Sequence, residues 1–104
     1  MKLYRLLKDA ECDLDTIFVY WAERASLGAA DRVVDAITER FWLLGEHPEA
    51  GRSCSDFARG VRCFPAGRYL IYYRKLRRGV EILHIFHGAR DRKATGKTFK
   101  STTR

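Results

Sequence analysis

The first half of the chain has its apolar residues at helical spacing. Between Ala10 and Ala25 they recur at steps of three and four residues. One face of a helix would carry them all: Leu14, Ile17, Phe18, Trp21, Ala22 and Ala25. Asp9 precedes this run and is expected to cap the helix, whereas Gly28 is expected to end it or loosen its exit. The pattern therefore predicts a first amphipathic helix over about 10–25.

A second helix is predicted from about Ala29 to Leu44. Its apolar stripe consists of Ala30, Val33, Val34, Ile37, Phe41 and Leu44. Gly45 is expected to close this helix, and Pro48 cannot continue it. Because only a few residues join the two helices, we expect an antiparallel helical hairpin.

Short segments with strand composition stand on both sides of the hairpin. Lys2–Leu7 is predicted to be a strand, and residues 46–59 have no clear period and indicate a loop. Three more strands are predicted over 60–65, 68–76 and 80–87. The order is β-α-α-β-β-β, an α+β fold with the helical hairpin packed on a small, mostly antiparallel sheet.

The last predicted strand is apolar on both faces. Val80, Ile82 and Phe86 are expected on one face, and Leu83 and Ile85 on the other. A strand with this pattern is usually interior to its sheet and covered on both sides.

A chain of 104 residues is long enough for one domain with a modest core. We expect a single domain over residues 1–91, followed by a basic tail over 92–104, whose content of Lys, Arg, Thr and Gly favours flexibility. Because no apolar stretch approaches the roughly 20 residues of a membrane span, cytoplasmic synthesis and function are expected.

The cysteines indicate reduced thiols. Cys12, Cys54 and Cys63 are odd in number and widely spaced. A disulfide framework normally uses an even set, and a zinc site needs closely spaced ligands. No metal or organic cofactor is expected.

Charge separates the two halves of the chain. Residues 1–52 contain 7 Lys and Arg against 10 Asp and Glu, a net charge of −3, whereas residues 53–104 contain 13 against 3, a net charge of +10. A basic excess confined to one half predicts an anionic partner: nucleic acid, an enzyme bound to nucleic acid, or an acidic protein.

Several short motifs follow one another in the order found in one protein superfamily. They are Ala10-x-x-Asp13-Leu14-x-x-Ile17-x-x-Tyr20, then Ala30 and Ile37, Leu44-x-x-x-Pro48-x-x-Gly51-Arg52, Gly60-Val61-Arg62, Arg68-Tyr69-x-Ile71-x-Tyr73, and Ile82-x-x-x-x-His87-Gly88-Ala89-Arg90-Asp91. In this order they resemble the RelE/ParE superfamily of bacterial type II toxins. The resemblance implies a RelE/ParE-like fold.

The superfamily has two main activities, and the ribonuclease activity is matched poorly. RelE-like members resemble ribosome-dependent mRNA interferases, which use basic residues and often a C-terminal tyrosine to move protons and stabilise charge at phosphorus. Here Gly60 stands where such nucleases often have a basic residue, and no Tyr, His or Glu follows Asp91. His84 and His87 are conceivable substitutes, but three residues apart on a strand they point to opposite faces.

The chain therefore resembles the ParE-like branch, whose members bind DNA gyrase and stabilise its cleaved-DNA complex without catalysis. The hypothetical target-binding surface is basic. It comprises Arg62, Arg74, Arg90, Arg92, Lys93 and Lys97. Arg68, Arg77, Arg78 and Lys100 are further cations of the same region.

The resemblance also implies a ParD-like antitoxin, in a hetero-oligomer that is often two plus two, with operator DNA contacted only through the antitoxin. Apolar residues off the helical stripes are candidate antitoxin contacts: Val19, Tyr20, Trp42 and Leu43.

Two other functions remain open from the sequence. One is an mRNA interferase that uses Arg62, Arg90 and either Tyr73 or His87. The other is a non-toxic family member that only corepresses its operon together with the antitoxin.

Overall fold

Two helices pack on one face of a five-stranded sheet. The computed structural model describes residues 3–88. In chain order the elements are β1 (Tyr4–Leu6), α1 (Lys8–Arg24), α2 (Leu27–Glu46), β2 (Arg52–Ser53), β3 (Val61–Ala66), β4 (Tyr69–Lys75) and β5 (Val80–His87). The α+β class and the helical hairpin are confirmed. The predicted domain boundary at residue 91 and the tail over 92–104 lie outside the described residues.

Both helices begin earlier than the apolar pattern predicted. The residue that precedes α1 is Leu7, and Asp9 lies in the first turn of the helix instead of capping it. Ser26 caps α2, because its hydroxyl accepts a hydrogen bond from the Ala29 amide at 3.0 Å. Gly28 therefore belongs to the first turn of α2 and does not end α1.

The end of α2 also differs from the prediction. Gly45 is a buried residue within the helix, which continues to Glu46. A Cβ at Gly45 would stand 2.6 Å from the Leu3 Cβ, so the missing side chain lets α2 approach the start of β1. Gly45 thus has a packing role, and the helix ends one residue after it, at Glu46.

The sheet has the order β1-β5-β4-β3-β2. β1 pairs parallel with β5, and the other neighbouring strands are antiparallel. The short strand β2 lies within the segment that was predicted to be a loop, and two residues are too few to produce a periodic signal. β5 lies inside the sheet, as its apolar pattern predicted.

β5 contains an irregularity that changes which side chains share a face. Tyr72 pairs with His84 and Tyr73 pairs with Ile82, so Leu83 is an extra residue in the ladder. Such a bulge interrupts the alternation of side chains. Ile82 and Ile85 consequently lie in the same core.

The prediction for the two faces of β5 was therefore wrong beyond the bulge. Ile85 joins Val80 and Ile82 on the helix side, whereas Phe86 packs with Leu83 on the other side.

Both faces of the sheet are covered by apolar residues. The larger core lies between the helices and the sheet and includes Ile37, Phe41 and Tyr73. The smaller core lies on the opposite face, where Phe57 packs against it from the segment between β2 and β3. This second face, turned away from the helices, is called the outer face below. Neither helix among residues 3–88 is long and apolar enough to cross a membrane.

Candidate interaction surfaces

Arg62 lies on the helix side of the sheet and supports a loop. It pairs in register with Tyr73, a residue of the larger core. Its Nη1 donates a hydrogen bond to the Gly51 carbonyl oxygen at 2.6 Å. The guanidinium therefore has a structural partner at the segment that leads from α2 into β2.

Tyr73 completes this loop attachment. Its buried hydroxyl donates to the Pro48 carbonyl oxygen and accepts from the Gly51 amide, each at 2.8 Å. Burial raises the pKa of Tyr73, against the opposing influence of the Gly51 amide and the Arg62 charge. A Cβ at Gly51 would stand 2.6 Å from this hydroxyl, so the two hydrogen bonds of Tyr73 require glycine at this position.

Arg74 lies on the outer face, on the side opposite to Arg62. It pairs with Val61, a residue of the smaller core, and its Nε donates to Glu81 Oε1 at 3.1 Å. From β1, on the other side of β5, the Nε of Arg5 donates to the other oxygen of Glu81, Oε2, at 2.9 Å. One carboxylate thus joins two arginines across β1, β5 and β4.

Glu81 is buried, whereas both guanidinium groups are exposed. The side chain of Glu81 is 4% exposed, compared with 68% for Arg5 and 52% for Arg74. Burial raises the pKa of Glu81, but the hydrogen bonds and charges of Arg5 and Arg74 together outweigh it, and the net pKa lies below the ordinary value. The carboxylate is therefore ionised at neutral pH.

The structure consequently separates the basic residues that the sequence had grouped. Arg62 and Arg74 face opposite sides of the sheet. The remaining cations of that set (Arg90, Arg92, Lys93 and Lys97) lie outside the described residues. Arg5 was not a candidate in the sequence, because its proximity to Arg74 depends on the parallel pairing of β1 with β5.

His84 is held by carboxylates of α1. Its Nδ1 lies 3.1 Å from Asp13 Oδ2, and its Nε2 lies 3.6 Å from Asp9 Oδ2. Asp13 also accepts the Ile85 amide at 2.9 Å, on the part of β5 that extends past β1. The hydrogen bond that the His84 ring donates to Asp13 raises the pKa of His84, burial opposes this, and the charges of both aspartates add to the rise.

His87 lies on the other face of β5, as the strand geometry predicted. It pairs with Tyr69, and the two rings meet edge to face at 5.5 Å. It lines a groove of about 260 Å³ between α1 and the end of β5, with Tyr20 on the opposite wall. The two histidines therefore cannot act together as an acid–base pair.

The candidate antitoxin contacts are all exposed but occupy two places. Val19, Tyr20, Trp42 and Leu43 are 50%, 45%, 44% and 37% exposed. Tyr20 lines the groove beside His87, whereas the Trp42 ring stands edge-on to Tyr4 of β1 at 5.2 Å. One contact surface would have to extend over both helices to include them.

No group of three or more His, Cys, Asp and Glu residues within 3–88 is arranged to hold a metal ion. What the described surfaces offer is charge and apolar area for binding partners.

Solved structures contain this arrangement of two helices on a five-stranded mixed sheet. One of them, titled "Chromosomal ParDE TA system from P. aeruginosa", superposes with a TM-score of 0.71 at 23% identity, over 81% of this chain and 92% of that chain. The two chains thus share one fold.

Sequence comparison extends this from fold to family. The family model described as "ParE toxin of type II toxin-antitoxin system, parDE" matches residues 4–92. A curated relative, "Toxin ParE1" of Caulobacter vibrioides, is 30% identical over 94 residues, which is 90% of this chain and 97% of that protein. The chain belongs to the ParE toxin family of type II toxin–antitoxin systems.

Proposed function

We propose that this toxin inhibits DNA gyrase by binding it and stabilising its cleaved-DNA complex, and that a ParD-like antitoxin neutralises it. The observation that carries the proposal is the state of the side chains that a ribonuclease would need. Arg62 is bonded to Gly51, Tyr73 is buried with both of its hydrogen bonds used, and His84 is held by Asp13. These groups serve the fold, which favours an activity based on binding.

The same contacts weigh against the mRNA interferase. General acid–base catalysis requires a side chain within hydrogen-bond reach of the proton that moves. The Tyr73 hydroxyl has no exposed surface from which to reach a scissile phosphate, because the residue is 0% exposed. His87 stays accessible in the groove, but it is separated by the sheet from His84 and Arg74.

The antitoxin is proposed to cover the exposed apolar residues of the helices. Apolar surface on a helical hairpin suits an amphipathic partner segment, and the two patches around Tyr20 and Trp42 call for a segment that crosses α1 and α2. The first turns of α1 carry Asp9, Glu11, Asp13 and Asp15. An acidic antitoxin is therefore expected to place its negative charges away from this end.

The function is tested with purified gyrase in supercoiling and DNA-cleavage assays, with toxin alone and with excess antitoxin. Loss of supercoiling with accumulation of cleaved DNA, reversed by antitoxin, is the expected result. Folded toxin that leaves gyrase unaffected but cleaves transcripts on ribosomes would overturn the proposal in favour of the interferase. Normal growth of cells that express the toxin alone would favour a corepressor without toxicity.

A further inference from the structure

Four arginines lie near one end of the sheet. Arg5 and Arg74 extend from β1 and β4, and Arg77 and Arg78 stand exposed in the turn between β4 and β5. These four residues are called the arginine row. The turn packs beside the start of β1, because Gly79 lies against Leu3 and the Val80 amide donates to the Leu3 carbonyl oxygen at 2.9 Å. The turn that carries Arg77 and Arg78 is therefore adjacent to the strand that carries Arg5.

The carboxylate of Glu81 orders two members of the row and leaves them accessible. Each arginine uses its Nε and Nη2 on Glu81, with Nη2 to carboxylate distances of 2.8 Å for Arg5 and 3.0 Å for Arg74. Two strand spacings separate β1 from β4, about 10 Å between backbones. Both guanidinium groups are thus held on either side of one buried charge, and both side chains stay exposed, at 68% for Arg5 and 52% for Arg74.

The electrostatic balance of this end is positive. Glu81 offsets one of the four charges of the row, and the neighbouring Lys75 is already paired with Glu49 at 2.7 Å. The acidic first turns of α1 lie elsewhere, where Asp13 contacts β5 at His84, beyond the last pair of β1 with β5. The row is therefore a localised cationic surface, whereas an even scatter of charge would serve solubility alone.

The chemistry of the row favours phosphates. All four cations are arginines, whose planar forked donors match phosphate oxygens in pairs. Several neighbouring guanidinium groups, two of them held by Glu81, suit a ligand with repeating negative charges, as a nucleic-acid backbone has. The row has no large apolar anchor of the kind that dominates protein–protein contacts.

We propose that the arginine row (Arg5 and Arg74 on the outer face, with Arg77 and Arg78 in the adjoining turn) binds the phosphate backbone of duplex DNA. This inference deepens the proposed function, because DNA is part of the gyrase complex, and it assigns the outer face to DNA. The helix side is left for the antitoxin. Contact to phosphates carries little sequence information, so binding should be independent of sequence.

The test measures binding of the full-length toxin to a short fluorescein-labelled duplex by anisotropy over a range of salt concentrations. Arg77→Gln/Arg78→Gln removes two cations of the turn that have no part in the core. Arg24→Gln/Arg32→Gln removes two exposed cations from the helices and is the matched control. Removal of each phosphate-binding cation should reduce the slope of log affinity against log salt by about one, so the slope should fall by about two for the turn variant and hardly change for the control.

Glu81 supplies two further variants with opposite expected effects. Glu81→Gln removes the carboxylate that competes for Arg5 and Arg74, so affinity for DNA should increase. Arg5→Gln/Arg74→Gln/Glu81→Gln removes the charges of all three without leaving an unpaired buried carboxylate, so the slope should again fall by about two. Thermal melts select the variants that remain folded. The basic residues after position 88 are the same in every protein compared, so their contribution to the salt slope cancels.

Equal salt slopes for the turn variant, the triple variant and the helix control would overturn the inference. Gyrase assays on the same proteins separate it from the proposed function. If the row variants bind DNA like the control yet cease to trap cleaved DNA, the row contacts gyrase protein and the assignment to DNA is wrong. If they no longer bind DNA while the original protein has no effect on gyrase, the assignment to DNA stands and the proposed target fails.

Discussion

Removal of the Tyr73 hydroxyl should destabilise the fold strongly. Tyr73→Phe deletes one buried oxygen that takes part in two hydrogen bonds, one to the Pro48 carbonyl oxygen and one from the Gly51 amide. An intramolecular hydrogen bond contributes about 1 kcal/mol net, and a buried donor left without a partner costs about 1–3 kcal/mol. The expected loss in the free energy of unfolding is therefore about 2–4 kcal/mol.

A loss of this size is large for a domain of this length. Small domains have a total stability of about 5–15 kcal/mol. At about 4–8 °C for each kcal/mol, the Tm should fall by at least about 8 °C. Urea titration measures the free energy of unfolding and a thermal melt measures Tm. An unchanged slope of the free energy of unfolding against urea concentration would show that the unfolded reference state is the same.

Tyr20→Phe is the matched control, because it removes the same atom from a half-exposed ring on α1. Its effect should stay within about 0.5 kcal/mol. If Tyr73→Phe lowers the free energy of unfolding no more than Tyr20→Phe does, the hydrogen bonds from Tyr73 to the segment after α2 do not stabilise the fold. The argument against a catalytic Tyr73 would then weaken. If toxicity decreases only in proportion to the folded fraction, the hydroxyl is structural.

Three further predictions rest on other contacts. The raised pKa of His84 means that its ion pair stabilises the fold fully below the ordinary histidine pKa of about 6.5, and that this stabilisation is lost as the pH rises through the higher pKa of the folded state. The free energy of unfolding measured with urea should therefore be larger near pH 6 than near pH 8.5. His84→Asn should reduce this difference. Gly79 has φ +74 and a Cβ there would meet Leu3, whereas Gly67 has φ +62 and open space around it. Gly67→Ala should cost about 1–2 kcal/mol in backbone strain, and Gly79→Ala should lower the free energy of unfolding, and with it Tm, by clearly more. Equal Tm values for the two variants would refute this. Trp42→Ala should weaken antitoxin binding at least tenfold, about 1.4 kcal/mol, in calorimetry of protein shown to be folded, and unchanged affinity would remove this residue from the interface.

The sequence determined the elements and their order because local periodicity reports which face of each segment is buried. The stripes through Ile17 and Ile37 identified both helices, and the residues between Val80 and His87 identified an interior strand. The ends of the helices were misplaced, because a cap at Ser26 and a close approach at Gly45 depend on single contacts that produce no period.

The candidate sites depended more on tertiary structure. Exposure of Tyr20 and Trp42 was inferable, because both lie off the apolar stripes of their helices. The grouping of Arg62 with Arg74 was not, since one residue of difference in register sends a side chain to the other face. His84 carries no local signal for its partner either, because Asp13 is 71 positions away in the chain.

The sequence by itself thus determined the fold class, the family and the excess of basic charge in the second half. Only the tertiary structure decided where that charge is presented. Parallel pairing of β1 with β5 brings Arg5 beside Glu81, and antiparallel pairing of β5 with β4 brings Arg74 to the same carboxylate. The physical reason is that local pattern encodes which residues are buried, whereas contacts between residues distant in the chain arise from strand pairing, which no single segment specifies.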